Sequence, residues 1–319
     1  MRRGLIIHNP ASGLSSAYNE LIRARAYLAG RGWSIDIEQT GGPGDAGRLA
    51  QEAARAGLYA ALIAGGDGTL NEAVNALVGT ETAVGLLPCG TGNMWARQLG
   101  MPSSAWRLQD AARAMDEATA RVVDVGQVTV RAGSPEAERR YFLLWSGVGL
   151  DGRITRSVEP RPPWFKRWGV VSYGLAALRI GAGYAGAQAE IDIDGRSLSE
   201  HVVMVVVCNA DLYAGIFHLA PEARLDDGRL NVSVIRGWGI GAALRYFARV
   251  MLRRHVRVSG LVTLPARRVR IVTRPTCDVH VDAEPLGPSP VECSIVPRAL
   301  RVLVPPNAPA ALFEPNRER

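Results

Sequence analysis

Lysine is nearly absent from this sequence of 319 residues, because 36 of its 37 cationic side chains are arginine and Lys166 is the one lysine. A Walker-type phosphate-binding loop ends in a lysine that reaches the phosphates of the nucleotide. Lys166 follows no glycine-rich loop. This class of nucleotide-binding site is therefore excluded.

Long apolar runs are also missing. No stretch of 18 uncharged apolar residues occurs, which excludes a membrane-spanning helix. The basic start Met1-Arg2-Arg3 is followed by an apolar run that is too short for a cleavable signal. The cysteines are few and show no CxxC spacing: Cys89, Cys208, Cys277 and Cys293. This pattern argues against a disulfide framework or a zinc site and predicts a reduced, cytoplasmic protein.

The net charge of +7 comes entirely from the second part of the chain. Residues 1–123 contain 11 cationic and 11 acidic side chains, whereas the remainder contains 26 against 19. Such an excess can face an anionic membrane, a nucleic acid or an acidic substrate. A solvated arginine-rich surface explains it equally well. Nucleic acid is not expected as a partner, because no aromatic platform or known nucleic-acid-binding module accompanies the charge.

Residues 1–123 alternate short apolar runs with helical patterns. The predicted strands and the helices that follow them are Gly4–His8 and Ala17–Ala29, Trp33–Glu38 and Asp45–Ala56, Tyr59–Ala64 and Thr69–Leu77, and Ala83–Leu87 and Met94–Leu99. This alternation predicts an α/β, Rossmann-like domain with a parallel sheet. Ligands of such sheets bind at the carboxyl ends of the strands.

From residue 124 to residue 304 the pattern changes to short strands separated by Gly, Asp and Pro. Tyr141–Ser146 and Ser294–Val296 are two of these predicted strands. Their spacing predicts a C-terminal antiparallel β-sandwich domain. Helical patterns near Trp168–Ile180 and Ile240–Arg254 interrupt it. The Pro- and Ala-rich tail, residues 305–319, is predicted to pack back on the first domain or to hang free.

Three loops at the ends of predicted strands contain glycine. The longest string is Gly65-Gly66-Asp67-Gly68-Thr69-Leu70-Asn71-Glu72, and the others are Asn9-Pro10-Ala11-Ser12-Gly13 and Pro88-Cys89-Gly90-Thr91-Gly92-Asn93. Main-chain N–H groups in such loops can approach an anion, and the start of the following helix adds partial positive charge. Asp67 would repel a phosphate, so we expect it to orient a hydroxyl, a donor or a metal. Together the loops predict one anion-binding pocket.

The strings NPxSG, GGDGTLNE and PxGTGNxxAR, in this order, resemble the diacylglycerol-kinase catalytic-domain family, which includes bacterial lipid kinases and sphingosine and ceramide kinases. Three later segments fit as well. Gly147–Asp151 is similar to the family's GxGxDA segment, Pro221–Leu230 matches PxAxxxDGxL, and Val281–Pro285 resembles DGEP. The GGDGT string is shared with NAD kinases, so the later motifs favour the lipid-kinase branch.

The resemblance implies a nucleotide cleft between two domains, ATP and Mg²⁺ as cofactors, and transfer of the γ-phosphoryl of ATP to a lipid hydroxyl. Diacylglycerol is the default acceptor. The implied nucleotide contacts are Asn9, Thr40, Gly65, Gly66, Asp67, Gly68, Thr69, Leu70, Asn71 and Thr91. The acidic catalytic position falls on Asp282 or Glu284. The structural magnesium site falls on the Asp227 carboxylate and the main-chain carbonyls of Arg224 and Arg229.

Asp282 and Glu284 are two positions apart, so on a strand both side chains would face the same side. One could then serve as base and the other could face a metal or a charge network. The alternative is a surface hairpin turn at Val281–Pro285, and Asp227-Gly228 is likewise a common hairpin signal. Ala283 replaces the middle glycine of the family's motif, which is expected to restrict the backbone there to negative φ.

Two segments suit a membrane interface, Trp164–Trp168 by its aromatic and cationic residues and Leu244–Val258 as a basic helix. Ordinary packing and a solvated face are the alternatives. The resemblance predicts a lipid acceptor at an anionic membrane surface and peripheral contact with the inner membrane face. It also allows a homodimer, because members of the family often pair. Two other functions stay open. One is an NAD-kinase-like phosphotransferase with a soluble acceptor. The other is a catalytically silent nucleotide- or lipid-binding regulator, motivated by Met94 in place of the family's aspartate and by Ala283.

Overall fold

The computed structural model describes residues 1–12, 17–158, 179–251 and 261–313. Contacts between residues divide the chain into two units, one formed by Met1–Asp124 with Pro297–Arg319 and the other by Val125–Val296. The first unit therefore includes the end of the last strand as well as the C-terminal segment. Of the residues after 123, the sequence predicts only the tail, residues 305–319, to pack back on the first domain, with a free tail as the alternative.

The strands, in chain order, are β1 (Arg2–His8), β2 (Trp33–Gln39), β3 (Ala60–Ala64), β4 (Ala83–Leu86), β5 (Thr119–Val130), β6 (Glu138–Phe142), β7 (Trp145–Gly149), β8 (Ala187–Ile193), β9 (Arg196–Cys208), β10 (Leu212–Tyr213), β11 (Phe217–His218), β12 (Leu230–Arg236), β13 (Leu261–Ala266), β14 (Arg268–Arg274), β15 (Asp278–Val281), β16 (Glu284–Pro288) and β17 (Val291–Val304). The helices are α1 (Ala17–Gly30), α2 (Asp45–Arg55), α3 (Asp67–Leu77), α4 (Met94–Gln98), α5 (Leu108–Asp116), α6 (Leu150–Val158) and α7 (Gly239–Met251).

The first unit is built on a parallel sheet of order β17-β4-β3-β1-β2. Every residue of β3 is buried, as expected for a strand that helices cover on both faces. Helix α3 begins at Asp67, two residues before the predicted start at Thr69. The glycine string therefore forms the first turn of this helix.

A buried carboxylate joins the end of α5 to the first two strands. Asp116 accepts hydrogen bonds from Arg31 Nε at 2.9 Å and from Trp33 Nε1 at 3.0 Å, and Arg2 lies 3.4 Å away. Burial alone would raise the pKa of Asp116, but the hydrogen bonds from Arg31 and Trp33 and the positive charges of Arg31 and Arg2 outweigh it and hold the pKa below its usual range. Asp116 therefore stays ionised at neutral pH.

The strand pairs within the second unit are antiparallel. Its strand order is β16-β15-β7-β9-β8-β14-β17, with β12 paired to β9 and β13 paired to β12, and β5 pairs with β6. The interior is rich in valine from β9 and β12. Phe142 is fully buried against Gly126, where an added Cβ would lie 2.0 Å from the ring. The predicted fold class, a parallel α/β domain followed by an antiparallel β domain, is confirmed.

Of the two helices predicted for the second unit, one can be compared with the structure. Helix α7 matches most of the predicted Ile240–Arg254 helix. The Trp164–Trp168 segment and nearly all of the predicted Trp168–Ile180 helix lie outside the described residues. No helix in the described part of the chain combines the length and the hydropathy that a membrane span needs.

Candidate active site

In the first unit, the glycine loop after β3 is hydrogen-bonded to the glycine loop after β4. The carbonyl of Gly65 accepts hydrogen bonds from the N–H groups of Cys89 and Gly90 at 3.0 and 3.2 Å. Asp67 Oδ1 accepts a hydrogen bond of 2.6 Å from the N–H of Met94. Each contact joins the loop after β3 to the loop after β4. The predicted convergence of these two loops is therefore present.

Glycine is needed at three of these positions for close packing. A Cβ at Gly90 would lie 2.6 Å from the Cα of Gly66, and one at Gly92 would lie 2.7 Å from Asp67 Oδ2. At Gly65 a Cβ would collide with the side chain of Thr69 at 2.6 Å. Real Cβ atoms do not approach neighbours this closely. The glycines thus allow two backbone segments to lie side by side at the start of α3.

Asn9 connects the loop after β1 to the start of α3. Its Nδ2 donates to Thr69 Oγ1 at 2.9 Å, and its Oδ1 accepts from the N–H of Ala11 at 2.9 Å. The side chain therefore holds its own loop in shape while it contacts the first turn of α3. Gly13, the last residue of that predicted motif, lies outside the described residues.

Asn93 closes the loop after β4, a role that the motif alone did not indicate. Its Nδ2 donates to the carbonyls of Gly90 at 2.7 Å and Ser103 at 2.9 Å. Its φ of 49° lies in the left-handed region, which asparagine tolerates better than most residues. The loop shape depends on this residue as well as on its glycines.

The other predicted nucleotide contacts differ in exposure. Thr40, at the end of β2, is 9% exposed, and its N–H donates to the carbonyl of His8. Thr91 is exposed on its loop. Leu70 and Asn71 are buried within α3, and Asn71 accepts a hydrogen bond from Asn75. Their side chains therefore belong to the interior of the unit.

His8 is a residue of this region that no sequence pattern singled out. It ends β1 directly before Asn9 and is 4% exposed. Burial lowers the pKa of His8, so the imidazole is neutral at physiological pH. It therefore adds no positive charge beside the glycine loops, where the N–H groups and the start of α3 supply the favourable potential for an anion.

In the second unit, Asp282 and Ala283 form a two-residue hairpin loop between β15 and β16. Val281 pairs with Glu284 across this turn. The φ angles are 45° at Asp282 and 66° at Ala283, as in a type I′ turn. Two expectations are therefore wrong: Ala283 adopts a positive φ, and Asp282 and Glu284 do not lie on one strand.

The Asp282 carboxylate is buried and accepts three main-chain hydrogen bonds. The donors are Leu143 N at 2.9 Å and Leu144 N and Trp145 N at 3.0 Å. The residue is 7% exposed. Because these N–H groups turn toward the carboxylate, the predicted strand Tyr141–Ser146 is interrupted and becomes the separate strands β6 and β7.

Glu284 has a different environment from Asp282. Its side chain is 33% exposed, and its Oε2 lies 3.3 Å from Arg140 NH1. Arg140 also contacts Glu138 at 3.4 Å. The two candidate acids thus differ: the Asp282 oxygens accept main-chain N–H groups, and the Glu284 carboxylate reaches solvent.

A buried imidazole–carboxylate pair lies in the strand that leads to the hairpin. His280 Nε2 is 2.5 Å from Asp151 Oδ2, and the His280 side chain is 1% exposed. A Cβ at Gly147 would lie 2.3 Å from both groups, so only glycine fits between them. The sequence placed Asp151 in the GxGxD segment, but His280 showed no spacing that could have revealed the pair.

The predicted magnesium site lies at the turn before β12. Asp227 Oδ1 accepts a hydrogen bond of 3.0 Å from the N–H of Arg229, and Gly228 has a φ of 70°. A carboxylate with the main-chain carbonyls of Arg224 and Arg229 is an all-oxygen donor set, which is the chemistry that Mg²⁺ prefers. The described residues contain no cluster of three or more His, Cys, Asp or Glu side chains that could hold a metal. Besides the Asp227 carboxylate, a bound ion would therefore depend on main-chain oxygens and water.

Comparison with known proteins identifies the family of the chain. Residues 3–128 match the model of the diacylglycerol kinase catalytic domain, and residues 146–304 match that of the YegS C-terminal NAD kinase beta sandwich-like domain. A Pseudomonas aeruginosa PAO1 protein named "Probable lipid kinase YegS-like" is 31% identical, and the match covers 98% of this chain and 97% of the relative. The chain belongs to the diacylglycerol kinase catalytic-domain family.

Other known proteins are similar to this chain along nearly its whole length. The diacylglycerol kinase of Bacillus subtilis 168 is 27% identical over 308 residues, which is 96% of this chain and 97% of the relative. A crystal structure of a diacylglycerol kinase from Bacillus anthracis Sterne has a TM-score of 0.72 at 22% identity and covers 97% of this chain and 98% of its own. Yeast NADH kinase has a TM-score of 0.50 at 10% identity, with 96% of this chain and 84% of the other covered. The last two likenesses concern the fold.

Proposed function

We propose that this protein is an ATP-dependent lipid kinase that transfers the γ-phosphoryl group of ATP to a lipid hydroxyl, with diacylglycerol as the default acceptor. The observation that carries the proposal is the pair of contacts Asp67–Met94 and Asn9–Thr69, which gather three glycine-bearing loops at the start of α3. Family membership supports a lipid kinase, and the names of the relatives support the choice of acceptor.

The phosphates of ATP are bound by main-chain N–H groups of the loops after β3 and β4. The start of α3 adds partial positive charge there, and the absence of a Walker lysine makes these neutral donors more important. Asn9, Thr40, Thr69 and Thr91 supply polar side chains around the nucleotide. Mg²⁺ bound with ATP would neutralise charge on the phosphates. Asp67 orients groups beside the phosphates and does not touch them.

Glu284 accepts the proton of the acceptor hydroxyl. The hydroxyl oxygen forms a bond to the γ-phosphorus, the bond from that phosphorus to the β–γ bridging oxygen breaks, and ADP leaves with the electron pair. Glu284 suits this role better than Asp282, because it reaches solvent and Asp282 already accepts three main-chain N–H groups. Asp282 holds the hairpin that carries Glu284. The Asp227 carboxylate and the main-chain carbonyls of Arg224 and Arg229 would hold a magnesium ion with a structural role.

The test is phosphorylation of vesicles that contain diacylglycerol, monoacylglycerol, sphingosine, ceramide or undecaprenol, with radiolabelled ATP and with NAD as a soluble acceptor in parallel. Glu284→Gln is the variant and Glu138→Gln is its matched control, because both carboxylates contact Arg140. We expect label in one lipid that Glu284→Gln lowers about 10²- to 10⁴-fold and that Glu138→Gln leaves unchanged.

Other outcomes would support the alternatives. Label in NAD alone would replace the lipid kinase with a phosphotransferase for a soluble acceptor. ATP binding without label in any acceptor would support a catalytically silent regulator. The proposal includes action at an anionic membrane surface, to which the protein binds peripherally. The homodimer stays a prediction, which sedimentation tests.

A further inference from the structure

The chain contains a long segment of one charge sign. From Gly228 to Cys277 the sequence has 11 arginines and neither aspartate nor glutamate. The net charge of the whole protein is +7, so this segment alone exceeds it. Some of these arginines pair with acids from other strands, such as Arg236 with Glu200 and Arg268 with Glu292. Arg245, on α7, is exposed.

Large apolar side chains are exposed in the same part of the second unit. Among the described residues, Trp238 is 71%, Leu244 50% and Ile216 48% exposed. Trp238 directly precedes α7, Leu244 lies within it, and Ile216 directly precedes β11, which packs against α7. We refer to Ile216, Trp238, Leu244 and Arg245 as the α7 patch.

Trp238 is held in its exposed position. Its ring stacks on His201 with a centroid distance of 3.5 Å and an interplanar angle of 13°. His201 Nδ1 in turn lies 2.8 Å from the carbonyl of Gly237, and the Gly237 N–H donates to the carbonyl of His201. An indole fixed in this way presents its apolar surface to the surroundings. Tryptophan exposed like this is favourable at a membrane–water interface, where its amphipathic ring matches the headgroup region.

We propose that the α7 patch docks this protein on an anionic lipid bilayer. The choice of occupant rests on the proposed function, because a lipid acceptor resides in a bilayer. Trp238, Leu244 and Ile216 enter the boundary between headgroups and acyl chains, while Arg245 meets anionic headgroups. Because the sequence from Gly228 to Cys277 has no aspartate or glutamate, its net charge complements an anionic surface.

The experiment is flotation of the full-length protein with vesicles of phosphatidylcholine alone or mixed with phosphatidylglycerol. The variants are Trp238→Ala and Arg245→Glu. Trp106→Ala is the matched control, because Trp106 is also 65% exposed but lies in the first unit. We expect the parent to bind the mixed vesicles, with each variant about tenfold weaker and the control unchanged. Pure phosphatidylcholine should bind the parent much more weakly.

Three results would overturn the proposal: no binding of the parent to mixed vesicles, unchanged binding of both variants, or equal loss in the Trp106→Ala control. A change of sedimenting mass in Trp238→Ala with vesicle binding retained would instead make the patch a contact between two copies. Flotation uses no ATP, so it is independent of catalysis. If the patch mediates binding but no lipid is phosphorylated, the kinase proposal fails and the docking proposal stands.

Discussion

The carboxylate of Asp67 accepts a hydrogen bond from the main-chain N–H of Met94 at 2.6 Å, which fixes the glycine loop after β3 to the loop after β4. Since the donor is the main-chain N–H, any residue other than proline at position 94 can make this contact. The methionine that stands where the family has an aspartate therefore does not by itself dissolve the loop arrangement. Asp67 has both a structural partner and a place beside the proposed phosphate site.

Substitutions at Asp67 can separate these two roles. Asp67→Asn keeps an oxygen that accepts the Met94 N–H but removes the negative charge, whereas Asp67→Ala removes both. We expect Asp67→Asn to lower kcat about 10²-fold through lost electrostatic positioning while the melting temperature stays near that of the parent. Asp67→Ala should lower both activity and melting temperature. Equal activity of Asp67→Asn and the parent would contradict a role for the charge.

Substitution of Asp282 should lower the stability of the protein much more than substitution of Glu284. Asp282→Ala leaves three main-chain N–H groups without their carboxylate, so we expect a loss of about 3 kcal/mol in the free energy of unfolding. Glu284→Gln removes a charge on a side chain that is 33% exposed and should change that free energy by less than about 1 kcal/mol. Urea unfolding followed by fluorescence measures both variants. A large destabilisation in Glu284→Gln would show that its effect on activity is indirect.

Ala283 should carry backbone strain, because its φ of 66° is unfavourable for a residue with a Cβ. Ala283→Gly relieves this strain, and we expect the free energy of unfolding to rise by about 1 kcal/mol. The control is Ala26→Gly, at an exposed position in the interior of α1, where the same change should destabilise by about 1 kcal/mol. Thermal unfolding of the two variants gives the signs. A loss of stability in Ala283→Gly would contradict the positive φ.

Much of the first unit could be predicted from sequence, because buried parallel strands and amphipathic helices have distinct periods. The ends of β1 through β4 lie within two residues of their predicted positions. The glycine loops could also be predicted, since the absence of a side chain at Gly66 and Gly90 allows the two loops to approach each other closely. What the sequence could not reveal were contacts between distant residues.

The hairpin at Asp282 illustrates this limit. The spacing of Asp282 and Glu284 predicts that both side chains face the same side of one strand. The main-chain N–H groups that donate hydrogen bonds to the Asp282 carboxylate, however, are 137 to 139 positions away in the sequence. Those contacts bend the chain between β6 and β7, and no local pattern near Tyr141–Ser146 reports them. The His280–Asp151 pair, 129 positions apart, was hidden for the same reason.

Asp116 should make stability depend on pH in the acid range. Its pKa in the folded protein lies below the usual value, so its contribution is fully present above the unfolded-state pKa of about 4 and is lost as the pH falls through the folded-state pKa. Asp116→Asn removes the charge that Arg31 and Arg2 face, so this variant should be less stable than the parent at pH 7, by about 1–3 kcal/mol. The difference should shrink below pH 4.

Urea unfolding of parent and variant across the acid range measures this convergence. Asp110→Asn is the matched control, because Asp110 pairs with Arg107 on the surface, where its side chain is 46% exposed, and such pairs contribute little. A constant difference between parent and Asp116→Asn at every pH would mean that Asp116 acts through shape and hydrogen bonding alone. Convergence confined to Asp116→Asn would instead assign the acid-dependent stability to the buried carboxylate that joins α5 to β1 and β2.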